Sequence, residues 1–438
     1  MPKDDTVIVR FPPSPTGFFH VGSARTALFN FLFAQRYGGK LMMRFEDTDK
    51  ERSKKEFEDD IVEGLSWLGI TYDACFKQSE RTVLYTGALQ KLIDADRAYV
   101  SREPAKSGEG EVEIVRLRNP GKSITFTDLV RGDITFDTTD LGDFVIARSM
   151  TDPLYHLAVV VDDADMGITH VIRGEDHISN TPRQILIQEA LGLARPAYAH
   201  IPLILAPDKS KMSKRHGTVS LSEYKKEGFL PEACINFLAL LGWNPGTDKE
   251  LFSLDELIAQ FDLSHIQKGG AVFNIDKLRW FNKEYIKKLP QEMLIAEVKK
   301  YLPEIEHIVQ KDLLLELITE KISIVSDIQE LVHEGELAFI VNSDRAIDTD
   351  RLPWKDESLA DAQKHLRVVQ GMLASLKDFP SVDEVKVILW EYASTEGKGS
   401  VLWPLRYALT AQDKSPDPFT VIALLGIQES SERIQKVL

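Results

Sequence analysis

The sequence predicts an α/β fold, with a parallel sheet in the first half of the chain and helices in the second. Residues 6–11 (TVIVRF) form a short β-branched run, residues 23–36 are rich in helix formers, and residues 40–46 (KLMMRFE) are again typical of a strand. A strand, a helix and a strand in this order make one βαβ unit, and such units build parallel sheets. After Ser222, apolar residues recur at helical spacing.

Local signals predict the other elements of the sheet. Leu28, Phe29, Leu32 and Phe33 give the first helix an apolar face, and Gly38-Gly39 is typical of a helix end. We expect three further strands at residues 154–162 (LYHLAVVVD), 169–173 (THVIR) and 200–205, and a helix at residues 182–191.

Two regions differ from this pattern. Between residues 98 and 148, short β-prone pieces alternate with turns, which predicts a small inserted domain. In the last third of the chain, apolar stripes predict a helix bundle. One stripe consists of Leu314, Leu317, Ile318, Val325, Ile328 and Val332, and residues 365–376 and 382–392 look similar.

Composition excludes several classes of protein. The 438 residues suffice for two to four domains, and 43% hydrophobic residues allow sizeable cores. The net charge of −15 argues against nonspecific coating of nucleic acid, although basic patches occur at residues 209–226 and 268–288. No secretory signal or long apolar run is evident, so a cytoplasmic location without membrane contact is expected. Two cysteines, Cys75 and Cys234, exclude a disulfide framework and a Cys-rich zinc site.

Two short motifs carry the predicted chemistry. Residues 13–23 (PSPTGFFHVGS) lie between the first strand and the first helix, where backbone N–H groups favour a bound phosphate. There His20 could donate to a phosphate oxygen of ATP, and Gly22 would let adenine lie flat on the backbone. Residues 211–215 (KMSKR) place two amines and a guanidinium on a loop, where they suit phosphates. Together the motifs predict activation of a carboxylate by ATP.

Segments spread over nearly the whole chain resemble one family, the bacterial glutamyl-tRNA synthetases of class I. These segments are 9–34 (VRFPPSPTGFFHVGSARTALFNFLFA), 44–49 (RFEDTD), 169–184 (THVIRGEDHISNTPRQ), 211–217 (KMSKRHG), 228–243 (GFLPEACINFLALLGW), 273–282 (FNIDKLRWFN) and 402–410 (LWPLRYALT).

The resemblance implies a domain plan. A Rossmann-like catalytic domain would occupy residues 1–97 and 151–221, with the KMSKR loop in its second half and an acceptor-end-binding insert at 98–150. A helical stem-contact domain would follow at 222–289, and a helical anticodon-binding domain at 290–438. The insert is shorter than is usual in the family, so its grip on the acceptor end is expected to be weaker or supplied elsewhere.

The resemblance also implies a pocket for glutamate. Arg10 and Ser14 would help to hold the amino acid, since a guanidinium can bind a carboxylate through two hydrogen bonds. Glu46 would take the amino group of the substrate. Tyr155 and Arg173 would close the pocket, with Arg173 facing the acidic side chain.

The ATP site is implied in the same way. Asp176 would bind the ribose, Ile204 would touch adenine, and no role follows for His177. His20, Lys211 and Lys214 are the expected catalytic residues. The full set of expected ATP-binding residues is His20, Gly22, Asp176, Ile204, Lys211 and Lys214.

The implied reaction joins L-glutamate to tRNA(Glu) through a glutamyl-adenylate, with ATP and Mg²⁺ and without zinc or another resident metal. The family is usually monomeric. Four other interpretations remain: an enzyme that also charges tRNA(Gln), a glutamyl-queuosine tRNA synthetase, a glutaminyl-tRNA synthetase and an inactive tRNA-binding paralogue. A glutamyl-queuosine enzyme lacks a helical anticodon domain, and a glutaminyl enzyme carries β-barrels in its place. In this sequence, about 150 residues of helical pattern follow Leu289.

Overall fold

The computed structural model describes residues 6–104, 110–210, 212, 220–342 and 346–438. The chain divides into two compact units, and the division falls after Phe281. The first unit begins with three parallel strands in the order β1-β2-β3, which confirms the predicted βαβ unit. Its first elements are β1 (Ile8–Phe11), α1 (Val21–Arg36), β2 (Lys40–Phe45), α2 (Lys55–Trp67), β3 (Ala74–Lys77) and α3 (Thr82–Asp94).

Helix α1 is buried on most of its surface, which explains its nearly continuous apolar sequence. Its end agrees with the prediction, because Gly38 takes the left-handed conformation with φ +59°. The next residue, Gly39, has a different reason to lack a side chain: a Cβ there would lie 2.2 Å from the carbonyl oxygen of Val7. Glycine therefore lets the chain turn and enter β2 beside β1.

The middle of the first unit is antiparallel. Two strand sets occur there: a four-stranded sheet in the order β4-β5-β8-β9, and a hairpin made by β6 and β7. The hairpin does not stand apart, because β6 pairs in parallel with a later strand of the sheet at Asp128 and Tyr198. The strands are β4 (Ala98–Pro104), β5 (Glu111–Leu117), β6 (Ser123–Asp128), β7 (Gly132–Asp137), β8 (Phe144–Ser149) and β9 (Asp152–Pro153).

The prediction of a strand at residues 154–162 is wrong, because these residues form most of α4. Val159 and Val160 are buried together with Leu157 and Ala158, so the helix meets the core on more than one side. A short apolar run fits a buried helix as well as a buried strand, and periodicity alone cannot separate the two. The elements that follow are α4 (Tyr155–Asp165), β10 (His170–Gly174), α5 (Thr181–Leu191), β11 (Ala197–Ile201) and β12 (Ile204–Leu205).

Strand β10 joins the two halves of the sheet. The N–H of Thr169, just before β10, donates to the carbonyl oxygen of Ile8 in β1 at 2.9 Å. On its other side, β10 pairs in parallel with β11. The predicted helix at 182–191 is confirmed, whereas the predicted strand at 200–205 is divided, because Pro202 separates β11 from β12.

Helices complete the first unit, as expected after Ser222. Strand β12 pairs in parallel with a short strand, β13, which interrupts these helices. The last helix, α9, continues past the division after Phe281. The elements are α6 (Leu221–Glu227), α7 (Pro231–Leu240), α8 (Leu254–Gln260), β13 (Ala271–Val272) and α9 (Ile275–Ile286).

The second unit is helical throughout its described residues, with no strand among them. The stripe that begins at Leu314 is shared by two helices, Lys311–Lys321 and Asp327–His333, and Val325 lies in the connection between them. Asp327 fixes this connection by accepting from the N–H groups of Ser323 and Ile324. The helices are α10 (Gln291–Lys299), α11 (Lys311–Lys321), α12 (Asp327–His333), α13 (Leu359–Leu373), α14 (Val382–Glu396), α15 (Lys398–Thr410) and α16 (Pro418–Gln435). In the described parts of the chain, no helix combines the length and apolarity that a bilayer crossing requires.

Candidate active site

The predicted site residues gather at the carboxyl ends of the parallel strands, where open α/β sheets bind their ligands. Arg10 lies in β1, Arg173 lies in β10, and Glu46 directly follows β2. Helix α1 begins at the same edge, because its Arg25 donates to the carbonyl oxygen of Pro202, directly after β11. The sheet therefore brings residues from distant parts of the sequence to one place.

His20 is the N-cap of α1. Its Nδ1 accepts from the backbone N–H groups of Gly22 at 3.1 Å and Ser23 at 3.3 Å. A nitrogen that accepts carries no proton, so the neutral ring carries its proton on Nε2. Desolvation by the surrounding protein lowers the pKa of His20, which favours this neutral form, although part of the residue stays exposed. The Nε2–H is then available to the Ser23 hydroxyl, 3.3 Å away, or to a ligand.

Gly22 is where a side chain would disturb this cap. A Cβ there would lie 3.1 Å from both Cε1 and Nδ1 of His20. That distance is tighter than ordinary carbon contacts, so the ring would have to move. The structure thus gives Gly22 a role beside the one expected from the sequence, which was an open surface for adenine.

The chain after the second motif returns to the first. His20 forms an antiparallel bridge with Ser220, and the N–H of Leu221 donates to the carbonyl oxygen of Phe19 at 2.7 Å. Within the motif, the N–H of Met212 donates to the carbonyl oxygen of Ile204 at 3.2 Å. Lys211 and Lys214, both predicted to bind ATP, lie outside the described residues.

Arg10 and Glu46 belong to one buried ionic network. Asp163 of α4 pairs with Nε of Arg10 at 3.3 Å and with Nη1 of Arg44 at 2.7 Å. Arg44 also donates from Nη2 to Glu46 at 3.1 Å, and it lies 3.6 Å from Asp162. The Nη1 of Arg10 is buried without a hydrogen-bond partner. Because buried donors are rarely left unpaired, this atom is a natural contact for a bound anion.

Arg173 presents a second unpaired donor. Its Nε and Nη2 are held by His200 and Thr181, while Nη1 is buried without a partner. Burial lowers the pKa of Arg173, and the charge of Arg10 adds to this effect. Two guanidinium groups with free, desolvated donors therefore lie close enough to repel each other. A ligand with two carboxylates would relieve that repulsion.

Tyr155 lies at the start of α4, between these charges. Its pKa is raised to about 12 by burial and by the charge of Glu46, while Arg173 and Arg10 act in the opposite direction. The hydroxyl lies 3.2 Å from Nδ1 of His177. Burial, together with Arg173, lowers the pKa of His177 to about 4, so the imidazole is neutral at pH 7. The structure thus brings Arg10, Glu46, Tyr155 and Arg173 together at one place.

Glu46 is nearly fully buried, and desolvation raises its pKa against the opposing effects of Arg44 and Arg10. Its backbone N–H donates to the carbonyl oxygen of Pro13 at 2.9 Å, which ties the first motif to the end of β2. Ser14, the next residue, is exposed on the same loop. A substrate ammonium would give the Glu46 carboxylate the second positive partner that burial makes favourable.

The two residues predicted to bind the nucleoside follow neighbouring strands. Asp176 lies just after β10, and Ile204 is the first residue of β12, the short strand that follows β11. Glu175 joins the two segments by accepting from the N–H of Leu203 at 2.7 Å. Ile204 is buried, whereas Asp176 is exposed. Among the described residues, no group of three or more histidine, cysteine or acidic side chains is placed to hold a metal ion.

Comparison with known proteins identifies the family. A model of the catalytic domain of class I tRNA synthetases (E and Q) matches residues 6–107 and 103–280, and a model of an anticodon binding domain matches residues 274–438. A glutamate–tRNA ligase of Heliobacterium modesticaldum is 40% identical, covering 99% of this chain and 97% of its own length. The one from Aquifex aeolicus is also 40% identical, with 99% and 98% covered. This chain belongs to the class I glutamate–tRNA ligases.

Solved structures of glutamate–tRNA ligases share the fold. A crystal structure from Elizabethkingia meningosepticum, in complex with its amino acid, matches with a TM-score of 0.89 at 30% identity, over 99% of both chains. A structure from Elizabethkingia anophelis gives a TM-score of 0.86 at 29% identity. The Heliobacterium alignment spans 490 positions, more than the 438 residues of this chain, so that ligase carries segments missing here. The catalytic-domain match divides at residues 103–107, inside the insert expected to be short.

Several residues around the candidate site of this glutamate–tRNA ligase have no role in the sequence prediction. Asp163 contacts Arg10, and His200 contacts Arg173. Asp163 follows an apolar run and His200 lies inside one, and both meet these partners only in the fold. Arg44 belongs to RFEDTD, but the resemblance assigns it no role. A charged residue inside a strand flanked by apolar residues is a usable signal, because such charges are buried only when they are paired.

Proposed function

We propose that this chain ligates L-glutamate to tRNA(Glu) with ATP, through a glutamyl-adenylate. One observation carries the proposal: Arg10 and Arg173 each present a buried Nη1 without a hydrogen-bond partner, and the charges of both arginines and of Glu46 act on the same residue, Tyr155. Glutamate has two carboxylates and one ammonium, which match two guanidinium groups and one carboxylate. An amino acid with a neutral side chain would leave one buried guanidinium without a counter-charge.

In the first step, an oxygen of the α-carboxylate of glutamate attacks the α-phosphorus of ATP, and pyrophosphate leaves. Arg10, Ser14 and Glu46 hold the amino acid, and Tyr155 and Arg173 close its pocket. No protein nucleophile is needed, so catalysis consists of positioning and electrostatic stabilisation. His20 donates its Nε2–H to a phosphate oxygen. Nε2 is free to do so because the contacts with the start of the helix are made by Nδ1.

The remaining nucleotide contacts follow the family pattern. Asp176 binds the ribose, and Gly22 and Ile204 contact adenine. Lys211 and Lys214, outside the described residues, bind the phosphates as cations. Mg²⁺ enters with ATP as part of the substrate.

In the second step, a ribose hydroxyl of the terminal adenosine of tRNA attacks the activated carbonyl carbon. An ester forms, and AMP leaves. We assign the 2′-hydroxyl and a requirement for bound tRNA before activation, as in the rest of the family. The match of residues 274–438 to an anticodon binding domain supports a tRNA partner, and the helical second unit counts against a glutaminyl enzyme with β-barrels. A monomer in the cytoplasm is the proposed working form.

Two assays test the proposal. Purified protein is incubated with ATP, glutamate and labelled pyrophosphate, with and without a tRNA(Glu) transcript, and exchange into ATP is measured. Glutamate-dependent exchange that requires tRNA is expected. Retained tRNA binding without exchange would instead identify an inactive tRNA-binding paralogue. Charging of separate tRNA(Glu) and tRNA(Gln) transcripts with glutamate then shows whether the enzyme discriminates between them.

A further inference from the structure

A set of buried polar residues lies behind Arg173, on the side away from its free Nη1. His200 on β11 stands opposite Arg173 on β10 in the parallel register. Nε of Arg173 donates to Nε2 of His200 at 3.1 Å, and Nη2 donates to the hydroxyl of Thr181 at 2.8 Å. All three residues are buried. Two of the three guanidinium nitrogens therefore hold the side chain in place through hydrogen bonds.

His200 is in turn held by Asp128, at the end of β6 in the antiparallel hairpin. Nδ1 of His200 lies 2.7 Å from Oδ2 of Asp128, and neither side chain reaches solvent. The other carboxylate oxygen, Oδ1, accepts from the backbone N–H groups of Val130 at 3.0 Å and Arg131 at 2.9 Å. The backbone N–H of His200 lies between the two oxygens, 3.3 Å from Oδ1 and 3.1 Å from Oδ2. The orientation of the carboxylate is thus fixed by the backbone.

These contacts determine the tautomer of His200. A carboxylate can only accept, so Nδ1 of His200 must carry the proton. Nε2 is then unprotonated and can accept from Nε–H of Arg173. The ring of Tyr198 stacks on His200 with an angle of 13° between the planes, and the Arg173 guanidinium lies 5.7 Å from the centre of the same ring. Packing and hydrogen bonding therefore favour one arrangement.

We propose that Asp128 and His200 are positioning residues for amino-acid selection: Asp128 holds His200 as the Nδ1–H tautomer, and His200 aims Arg173 at the side-chain carboxylate of the substrate. This inference rests on the proposed function, in which Arg173 binds that carboxylate. Neither Asp128 nor His200 needs to touch the substrate. Because Asp128 lies on β6, one of the residues that position Arg173 belongs to the predicted insert.

The substitution Asp128→Asn tests the tautomer directly. The N–H groups of Val130 and Arg131 both donate to Oδ1, so the amide oxygen of asparagine will take that position and its NH₂ group will face Nδ1 of His200. Nδ1 must then accept, and the proton moves to Nε2, where it opposes the Nε–H of Arg173. We expect the KM for glutamate to rise about 10-fold or more, since hydrogen bonds to charged groups contribute about 1.5–3 kcal/mol. The kcat and the KM for ATP should stay within about twofold.

The substitution His200→Gln is expected to raise the KM for glutamate less than Asp128→Asn does. A glutamine carbonyl oxygen can reach the position of Nε2 and accept from Arg173 whichever group faces it from Asp128. We therefore expect a smaller rise in the KM for glutamate than in Asp128→Asn, although this change removes the residue that contacts Arg173. In the double variant, His200→Gln should rescue most of the defect of Asp128→Asn.

The measurements use the full chain with tRNA(Glu), ATP and labelled glutamate. Kinetics are combined with two-bond ¹H–¹⁵N correlation spectra of histidine-labelled protein, in which the His200 signals are those that His200→Gln removes. The spectra should show the Nδ1–H tautomer in the parent and the Nε2–H tautomer in Asp128→Asn. Asp133→Asn is the matched control, because Asp133 lies exposed on the same hairpin and accepts only from Thr127 in the described contacts.

The outcomes distinguish a failure of the proposed function from a failure of the positioning role of Asp128 and His200. If the parent enzyme does not charge tRNA with glutamate, the proposed function fails. If it does, and Asp128→Asn changes the tautomer without raising the KM for glutamate, the positioning role is wrong. If Asp128→Asn does not fold, His200→Phe tests the positioning role instead, since a phenylalanine ring can fill the space of the imidazole but cannot accept from Nε–H of Arg173. An unchanged KM for glutamate in that variant would equally end the inference.

Discussion

Asp163 and Arg44 form a buried ion pair at 2.7 Å, although they lie on a helix and a strand far apart in the sequence. The same carboxylate pairs with Arg10, so one acidic residue orients two arginines at the end of the sheet. Burial opposes ionisation, but the charges of Arg10 and Arg44 prevail and lower the pKa of Asp163. The pair therefore connects the stability of the first unit to the placement of Arg10.

The first prediction is that Asp163→Asn both destabilises the protein and weakens glutamate binding. Breaking a buried pair leaves uncompensated charge and typically costs about 3–5 kcal/mol. We expect the Tm of the first unit to fall by about 5–10 °C, because about 1 kcal/mol corresponds to about 2 °C in a unit of this size. Asp165→Asn is the control, since its pair with Arg81 is half exposed. A control that melts as early as Asp163→Asn would contradict this assignment.

The second prediction separates the two roles of His20. His20→Asn keeps an N-cap acceptor but removes the Nε2–H, whereas His20→Ala removes both. His20→Ala should lower stability by about 1 kcal/mol relative to His20→Asn. Both should reduce ATP–pyrophosphate exchange by about 10²–10³, as is typical when one preorganised donor is lost. Full exchange in His20→Asn would show that the ring serves the helix alone.

The third prediction uses two glycines of the same motif. In Gly22→Ala, the new methyl group would press on the His20 ring, so exchange activity should fall by at least about tenfold through the displaced donor. Gly17→Ala is the control, because a Cβ there would meet nothing within 4 Å. Equal activity of the two variants would mean that the His20 ring has room to shift without harm.

The sequence alone predicted the parallel sheet because its signal is local. The strands at 6–11 and 40–46, and the helix between them, each follow from a few adjacent residues and the turn at Gly38. The wrong prediction of a strand at 154–162 also arises from the use of local signals. Most of α4 is buried, so its sequence lacks the alternation of apolar and polar faces by which a helix is recognised.

The residues expected in the glutamate pocket could be named from the sequence, whereas the side chains that hold them could not. Arg10, Glu46 and Arg173 belong to segments that resemble the family, Tyr155 lies outside those segments, and the fold brings the four residues together. Asp163 and His200 act only through other side chains across the sheet. Nothing in the sequence near either residue encodes its partner, since these contacts depend on the register of strands and helices in three dimensions.

The fourth prediction concerns pH. Desolvation raises the pKa of Glu46, so this carboxyl becomes protonated at a higher pH than an exposed glutamate. Only the ionised form can pair with the substrate ammonium. The KM for glutamate should therefore rise as pH falls through the raised pKa. The same shift makes the folded state lose stability as pH increases from the unfolded pKa through the raised folded pKa, because the unfolded chain releases this proton more readily.

The control for this effect is Glu46→Gln, measured over the same pH range. Its KM for glutamate should be high at every pH and should lack the increase at low pH, since no carboxyl remains at the ammonium site. His177 is already neutral in this range, because its pKa is about 4. If Glu46→Gln keeps the full pH dependence of the parent enzyme, the titrating group lies elsewhere.

The last prediction is that Arg173→Gln relaxes the preference for glutamate over glutamine. The carboxamide can take the place of the guanidinium beside His200 and Thr181, but it brings no charge to balance a side-chain carboxylate. The KM for glutamate should rise about 10–100-fold, which is the range for a lost hydrogen bond to a charged group. Activation of glutamine should change far less.

Arg183→Gln is the matched control for this experiment, because Arg183 lies on α5 near the same pocket and donates to the carbonyl oxygen of Ser179. Its selectivity should equal that of the parent enzyme. Exchange is measured with glutamate and with glutamine at saturating ATP and tRNA, so that only amino-acid binding differs. Unchanged selectivity in Arg173→Gln would remove Arg173 from side-chain recognition. Arg10 would then be left as the buried guanidinium with an unpaired Nη1 available for that carboxylate.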